Sequence, residues 1–247
     1  MRMNDFICIS SALYPDNGEP ININIDLLDH KAGVAHLCKG FPISPEDWPD
    51  GYGISNEVVT LSTHQGTHID APMHYHPEGT DIVAADVNDF IGNAVIFKDE
   101  SHHEYEIEIN WQHYLEKIKK YQNRAKAVFF ITGAYKHYGK KDYFYTFKGI
   151  PAKYVEAAID RGFSIIGTDA FSVDPPFAVM SKAYMETKDQ SKLWPAHVLG
   201  RKKPYYQIER LCHLEPFENC DLVEFIALPI KIHCGAAWTR AVARIIE

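Results

Sequence analysis

The sequence predicts an α/β domain, on three observations. Short runs rich in Val, Ile and Phe recur along the chain, amphipathic helical patterns separate several of them, and 46% of the 247 residues are hydrophobic. A chain of this length can enclose one substantial core, and no shift in composition asks for a second, so residues 1–247 are expected to form a single domain.

Residues 6–10 read as the first strand, and residues 16–49, which hold several Pro and Gly, read as a loop-rich stretch placed to help form a substrate mouth. Residues 58–62 read as a strand that runs into a histidine-rich turn. Further strands are expected at 94–97, 127–132, 164–167 and 222–232, with a strand-like run at 205–211. Between them, residues 110–121 read as a helix with Trp111, Leu115 and Ile118 on one stripe and Asn110 as its cap. Residues 151–160 read as a second helix, with Pro151 at its first position, Tyr154, Val155, Ala158 and Ile159 on its apolar side and Gly162 as its stop. A third helix is expected to begin near Thr239.

Composition narrows the function classes. The 25 basic and 33 acidic residues give a net charge of −8. Short basic pieces such as 117–120 and 201–203 read as solvated faces, so nucleic acid is not an expected partner. Five cysteines, Cys8, Cys38, Cys212, Cys220 and Cys234, are odd in number and form no C-x-x-C pair, which argues for reduced thiols rather than a disulfide scaffold or zinc finger. No apolar run is long enough for a membrane span, and the first residues lack a signal-peptide core, so a soluble, cytoplasmic protein is expected.

The densest chemistry lies in residues 64–76, where His64, His68, Asp70, His74 and His76 all fall on even positions. An extended segment sends alternate side chains to one face, which here carries nitrogen and oxygen ligands. In a straight strand His64 and His68 would stand roughly 13 Å apart, too far to share an ion comfortably, so the chain must bend between them. Gly66 and Pro72 supply corners, and with Thr67 they argue against a helix that would join the two histidines at i and i+4. Imidazole and carboxylate together suit a borderline divalent ion. His76, beyond the tight part of the pattern, reads as an outer or surface residue. Downstream, His197 sits in an apolar, aromatic setting and Glu209 in a strand-like run. Taken alone, the first reads as a core residue and the second as a salt-bridge partner of Arg210.

The run Ser62-Thr63-His64-Gln65-Gly66-Thr67-His68-Ile69-Asp70-Ala71-Pro72-Met73-His74 resembles the signature of the cyclase family of metal-dependent hydrolases, which includes bacterial kynurenine formamidases. The block from Gly167 to Asp174, His197, Glu209 and Leu228-Pro229-Ile230-Lys231 resemble later blocks of the family in the same order. The resemblance implies a mixed β-barrel-like sheet with outer helices, the swivelling β/β/α cyclase-type domain, and a site for two divalent metal ions, zinc or manganese. It implies His64 and His68 on one ion, Asp70 bridging, His197 and Glu209 on the other, and His74 free as acid and base. It further implies a homodimer or homotetramer acting on a small-molecule substrate.

The activity implied is hydrolysis of a formamide, amide, ester or lactone carbonyl of a small aromatic substrate, with His74 protonating the leaving group. The C-terminal block departs from the formamidases: they resemble Asp-Ala-Ser-Pro-x-Arg, whereas this chain reads Cys234-Gly235-Ala236-Ala237-Trp238-Thr239-Arg240. The substrate is thus open. Three alternatives stand beside hydrolysis: a metal-dependent cyclase or lyase on a polyketide-like substrate, a non-catalytic metal-binding module, and a thiol enzyme using Cys234 ahead of the helix expected near Thr239. Asp169 and Asp174 read either as turn caps or as carboxylates that orient a ligand histidine. Tyr14, Trp48, Phe177, Trp194 and Trp238 are pocket candidates, although core packing is the more ordinary role.

Overall fold

A computed structural model describes residues 5–247. Its strands are β1 (Ile7–Cys8), β2 (Asn24–Leu28), β3 (Asn56–Thr60), β4 (His68–Asp70), β5 (Ile91–Lys98), β6 (Ala127–Ile131), β7 (Ile165–Thr168), β8 (Tyr206–Glu209), β9 (Leu222–Ile226), β10 (Ala236–Trp238) and β11 (Val242–Ile245). The α-helices are α1 (His30–Cys38), α2 (Trp111–Tyr121), α3 (Ala152–Ile159), α4 (Phe177–Thr187) and α5 (Pro195–Gly200). Two compact units emerge, one of Leu13–Ser62 and one of residues 5–12 with Thr63–Glu247.

The larger unit is built on a mixed nine-stranded sheet in the order β1-β11-β9-β5-β6-β7-β8-β4-β10, curled into a half-barrel. This is the mixed, barrel-like sheet with outer helices that the resemblance implies. Parallel pairing joins β5 to β6, β6 to β7 and β7 to β8, and each of these links crosses over through helices, as parallel strands require. All other pairs are antiparallel.

Strict alternation divides the core into two layers. Ala94, Ile96, Ala127, Phe129, Ile69 and Ile208 pack on one side of the sheet. Val95, Phe97, Val128 and Phe130 pack on the other, against Tyr114, Ile118 and Tyr121 of α2 and Tyr154, Val155 and Ala158 of α3. The Asn110 side chain caps α2 by accepting from His113 N at 3.0 Å, as its position predicts. The buried centre of α2 is Tyr114 rather than Trp111, which is partly exposed. Pro151 is the N-cap of α3, so the helix starts one residue later than expected.

Several expectations are corrected. No helix begins near Thr239: residues 236–238 form β10 on β4, and Val242–Ile245, with its β-branched residues, forms β11 between β9 and β1. The strand expected over 222–232 ends at Ile226, short of Pro229, whose ring cannot donate to a ladder. In the smaller unit, residues 16–49 are not all loop. They contribute β2, which pairs with β3 from Asn24↔Thr60 to Leu28↔Asn56, and α1, capped by Asp29 accepting from Ala32 N at 2.8 Å. Among the described residues, no helix is long and apolar enough to cross a membrane.

Gly167 in β7 lies against a neighbouring strand so closely that a Cβ there would stand 2.4 Å from Phe129 Cδ1. Gly167→Ala should therefore destabilise the fold by about 1–3 kcal/mol through overpacking. Urea denaturation checks this; an unchanged midpoint would show that the Phe129 ring yields freely.

Candidate metal centre

The site begins with a bend. Gly66 takes a φ of +63°, which glycine adopts without strain, and turns the chain between His64 and β4. The His68 ring then folds back so that Nδ1 lies 2.8 Å from the Gly66 carbonyl oxygen, which fixes its tautomer and leaves Nε2 facing forward. Within β4, alternation puts Ile69 in the core layer and His68 and Asp70 on the opposite face. Across the ladder, β8 pairs His68 directly with Glu209 and Asp70 with Gln207.

The polar atoms converge. His68 Nε2 lies 3.5 Å from Asp70 Oδ1 and 3.5 Å from Glu209 Oε2, while His64 Nε2 lies 3.2 Å from Asp70 Oδ1 and 3.0 Å from His74 Nδ1. Two trios of possible ligand atoms, His64/Asp70/His74 and His68/Asp70/Glu209, each lie within 4.8 Å of one another and share Asp70. His197 belongs to neither trio; its ring stands edge-on to His74, with centroids 5.4 Å apart. His76 accepts from Glu78 N at 3.0 Å in the turn that follows, away from these trios.

A divalent cation fits this donor set. His68 Nε2 and both oxygens of Asp70 are buried with no hydrogen-bond partner, which interiors rarely tolerate. Bringing two carboxylates and several imidazole nitrogens together with these three atoms left unpartnered makes sense around positive charge. The electrostatics agree. Burial pushes the Asp70 carboxyl up, but the flanking imidazoles of His68 and His64 outweigh it and hold Asp70 well below the usual carboxylate range. Glu209 moves the other way, raised by burial and by the nearby charge of Asp70. Burial pulls His64 down, yet the negative charge of Asp70 close beside it leaves the net shift upward. At His74 burial wins and lowers the pKa to about 4.

Outer groups hold these side chains. Asp174 accepts from Ala196 N at 2.8 Å, from His197 N at 3.1 Å and from the His197 ring at Nδ1, 2.6 Å away. One carboxylate thus caps the start of α5 and orients the His197 ring, in place of the turn expected as one of its roles. Glu209 Oε1 accepts from Val173 N at 2.8 Å. The guanidinium of Arg210 lies 4.0 Å over the Phe171 ring, while Glu209 faces His68. Asp169 has the turn role: it accepts from Thr132 N and Tyr135 N after β6. Cys234 precedes β10 rather than a helix, which removes the helix N-terminus that the thiol alternative needed.

Beside the imidazoles opens a cavity of about 630 Å³, lined by His74, His197, Tyr75, Tyr184, Trp194 and Arg201 among others. Trp194 stacks on Phe177 at 4.9 Å, so both take part in the pocket's wall or its support. Trp238 sits opposite His68 on β10, and Tyr14 and Trp48 belong to the smaller unit. Sequence reasoning did not find Tyr75, Tyr184 or Arg201. Only the spacing of Trp194, His197 and Arg201 along one helix could have signalled the last.

The family described as “Putative cyclase” matches residues 16–175. The chain belongs to the cyclase family. It is 29% identical over 219 residues to a kynurenine formamidase of Erythrobacter litoralis, spanning 84% of this chain and 90% of that protein. A kynurenine formamidase of Delftia acidovorans is 27% identical over 199 residues, 78% of this chain and 82% of its own. Among solved structures, isatin hydrolase A from Labrenzia aggregata, bound to benzyl benzoate, superposes with a TM-score of 0.72 over 98% of this chain and 94% of that one. At 17% identity this last likeness is one of fold.

The Asp174–His197 bond can be tested. Asp174→Asn keeps an oxygen for the start of α5 but loses the charged partner of the imidazole. It should lower affinity for a divalent ion about 10- to 100-fold with the fold intact. Calorimetric zinc titration with circular dichroism checks this; undiminished affinity would show that His197 needs no such support.

Proposed function

We propose that this protein is a metal-dependent hydrolase acting on a carbon–nitrogen bond of a small aromatic amide or formamide, with ester and lactone carbonyls as related substrates. The observation that carries the reading is Asp70: fully buried, both oxygens without hydrogen-bond partners, and flanked by His64, His68 and Glu209. Relatives named kynurenine formamidase, and structural neighbours named isatin hydrolase, support the substrate class.

His64 and His68 would hold one ion, His197 and Glu209 a second, and Asp70 would bridge them. Two trios sharing Asp70 support a pair of ions, though they group His68 with Glu209 and place His74, not His197, beside His64, and the nitrogen–oxygen donor set supports zinc, with manganese as the alternative. Such ions supply an activated water and polarise the carbonyl at neutral pH. His74 then serves the protons. Burial keeps its imidazole neutral near pH 7, and it borders the cavity where substrate would sit. In the overall reaction the acyl–nitrogen bond breaks, the water oxygen joins the acyl carbon, and a proton passes to the departing nitrogen, giving an amine and an acid.

The five cysteines are free in the structure, which suits a cytoplasmic location. Exposed Ile25 and Leu27 on β2 and Val58 and Val59 on β3 support self-association into a homo-oligomer, which light scattering would measure.

Two measurements test the site. Chelation should abolish hydrolysis of formanilide and zinc or manganese should restore it; equal turnover by stripped and reloaded protein would end the proposal. His74→Ala should keep its metal content by elemental analysis and lose about 10²- to 10⁴-fold in kcat. Loss of an ion equivalent would instead make His74 a ligand, as its place in the His64/Asp70 trio allows.

A further inference from the structure

Three residues that border the cavity share one short helix. Trp194 is the N-cap of α5 and Arg201 its C-cap, with His197 between them. Spacings of three and four residues put all three on one face, and all three line the same cavity. Arg201 is anchored: its Nε donates to the carbonyl oxygen of Tyr75 at 2.9 Å, one residue from His74. Among the described residues, no carboxylate pairs with it. It is also the one permanently charged side chain on the cavity lining, in a protein of net charge −8. A cation without an acidic partner, tied by backbone to the edge of the reaction site, is set to meet an anion that arrives with the substrate.

Trp194 fixes the other half of the chemistry. Its left-handed backbone, φ +46°, is rare for a bulky residue, and it is held by the stack on Phe177 and by Trp194 N donating to Met180 Sδ at 3.2 Å. The indole therefore offers a pre-set aromatic surface on the cavity. One helical turn separates His197 from Arg201, about 5–6 Å between Cβ atoms, a span that a single substituted benzene ring can bridge.

Resting on the hydrolase reading, we propose that the substrate is an aryl amide or formamide whose ring carries a carboxylate, with the ring against Trp194 and the carboxylate on Arg201. The anion distinguishes this substrate from a neutral aryl amide. Its binding leaves the bond changes of hydrolysis as stated above.

The probes are formanilide and its 2-, 3- and 4-carboxyl derivatives, assayed on metal-loaded protein. Wild type should favour at least one carboxyl isomer. In Arg201→Met, the ratio of kcat/KM for that isomer over formanilide should fall about 10- to 100-fold, mainly through KM. Arg201→Lys, which also loses the Nε bond but keeps the charge, should retain part of the preference; a loss as complete as in Arg201→Met would assign the effect to the Tyr75 contact and overturn the proposal. An unmoved ratio in Arg201→Met overturns it too.

Binding separates this inference from the hydrolase reading. Calorimetry should show the matching aminobenzoate binding more tightly than aniline, with the difference lost in Arg201→Met. If that difference is seen but no amide is hydrolysed, the anion site stands and the hydrolase reading falls. If amides are hydrolysed without any Arg201-dependent preference, the hydrolase reading stands and the anion site falls.

Discussion

The register between β4 and β8 is the constraint on which the site depends. It sets His68 opposite Glu209 and Asp70 opposite Gln207, all on the face away from Ile69 and Ile208. Because side chains alternate with period two, slipping either strand by one residue would send its ligands into the apolar layer and its isoleucines toward the polar atoms. The core itself thus guards the metal centre. Ile69 and Ile208 are fully buried, and exchanging them for ionisable groups would cost far more than any local rearrangement could recover.

That register also creates an electrostatic demand. Asp70 and Glu209 lie buried in one cluster, and neither oxygen of Asp70 has a hydrogen-bond partner. An uncompensated buried charge costs about 3–5 kcal/mol when its partner is removed. A tightly held divalent ion returns on the order of 10 kcal/mol or more in a well-formed site, so its binding can readily offset the cluster's cost. The same comparison explains why the ligands come from rigid segments. The bend at Gly66, the short strand β4 and the capped start of α5 fix donors before the ion arrives, which limits the ordering entropy lost on binding.

Much of this was legible in the chain. The even spacing of His64, His68, Asp70 and His74, and the need for a bend at Gly66, follow from strand geometry alone, and the structure bends there. The parallel strands and α2 and α3 follow from apolar runs and caps. What local pattern could not supply was context. Residues 236–245 carry no punctuation that distinguishes two short strands from a helix, and only pairing with β4, β9 and β11's other neighbour β1 decides it. Asp29 offered a cap for α1, but the Pro and Gly around it masked the helix. Asp174 looked equally like a turn former, since its partners in α5 lie more than twenty residues on.

Helix α5 shows why the pocket was the least legible part. It has six residues, too few for periodicity to announce it, and its N-cap is a tryptophan in a left-handed conformation that no propensity favours. Such a conformation costs about 1–2 kcal/mol and persists only when surrounding contacts over-determine it. Here those contacts are Phe177, Met180 and, through Ala196 and His197, the carboxylate of Asp174. One anchored turn of helix therefore fixes the His197 imidazole, an aromatic wall and a cation together. A change that loosened Asp174 would disturb all three at once, so metal affinity and substrate selection should fail as a coupled pair rather than separately.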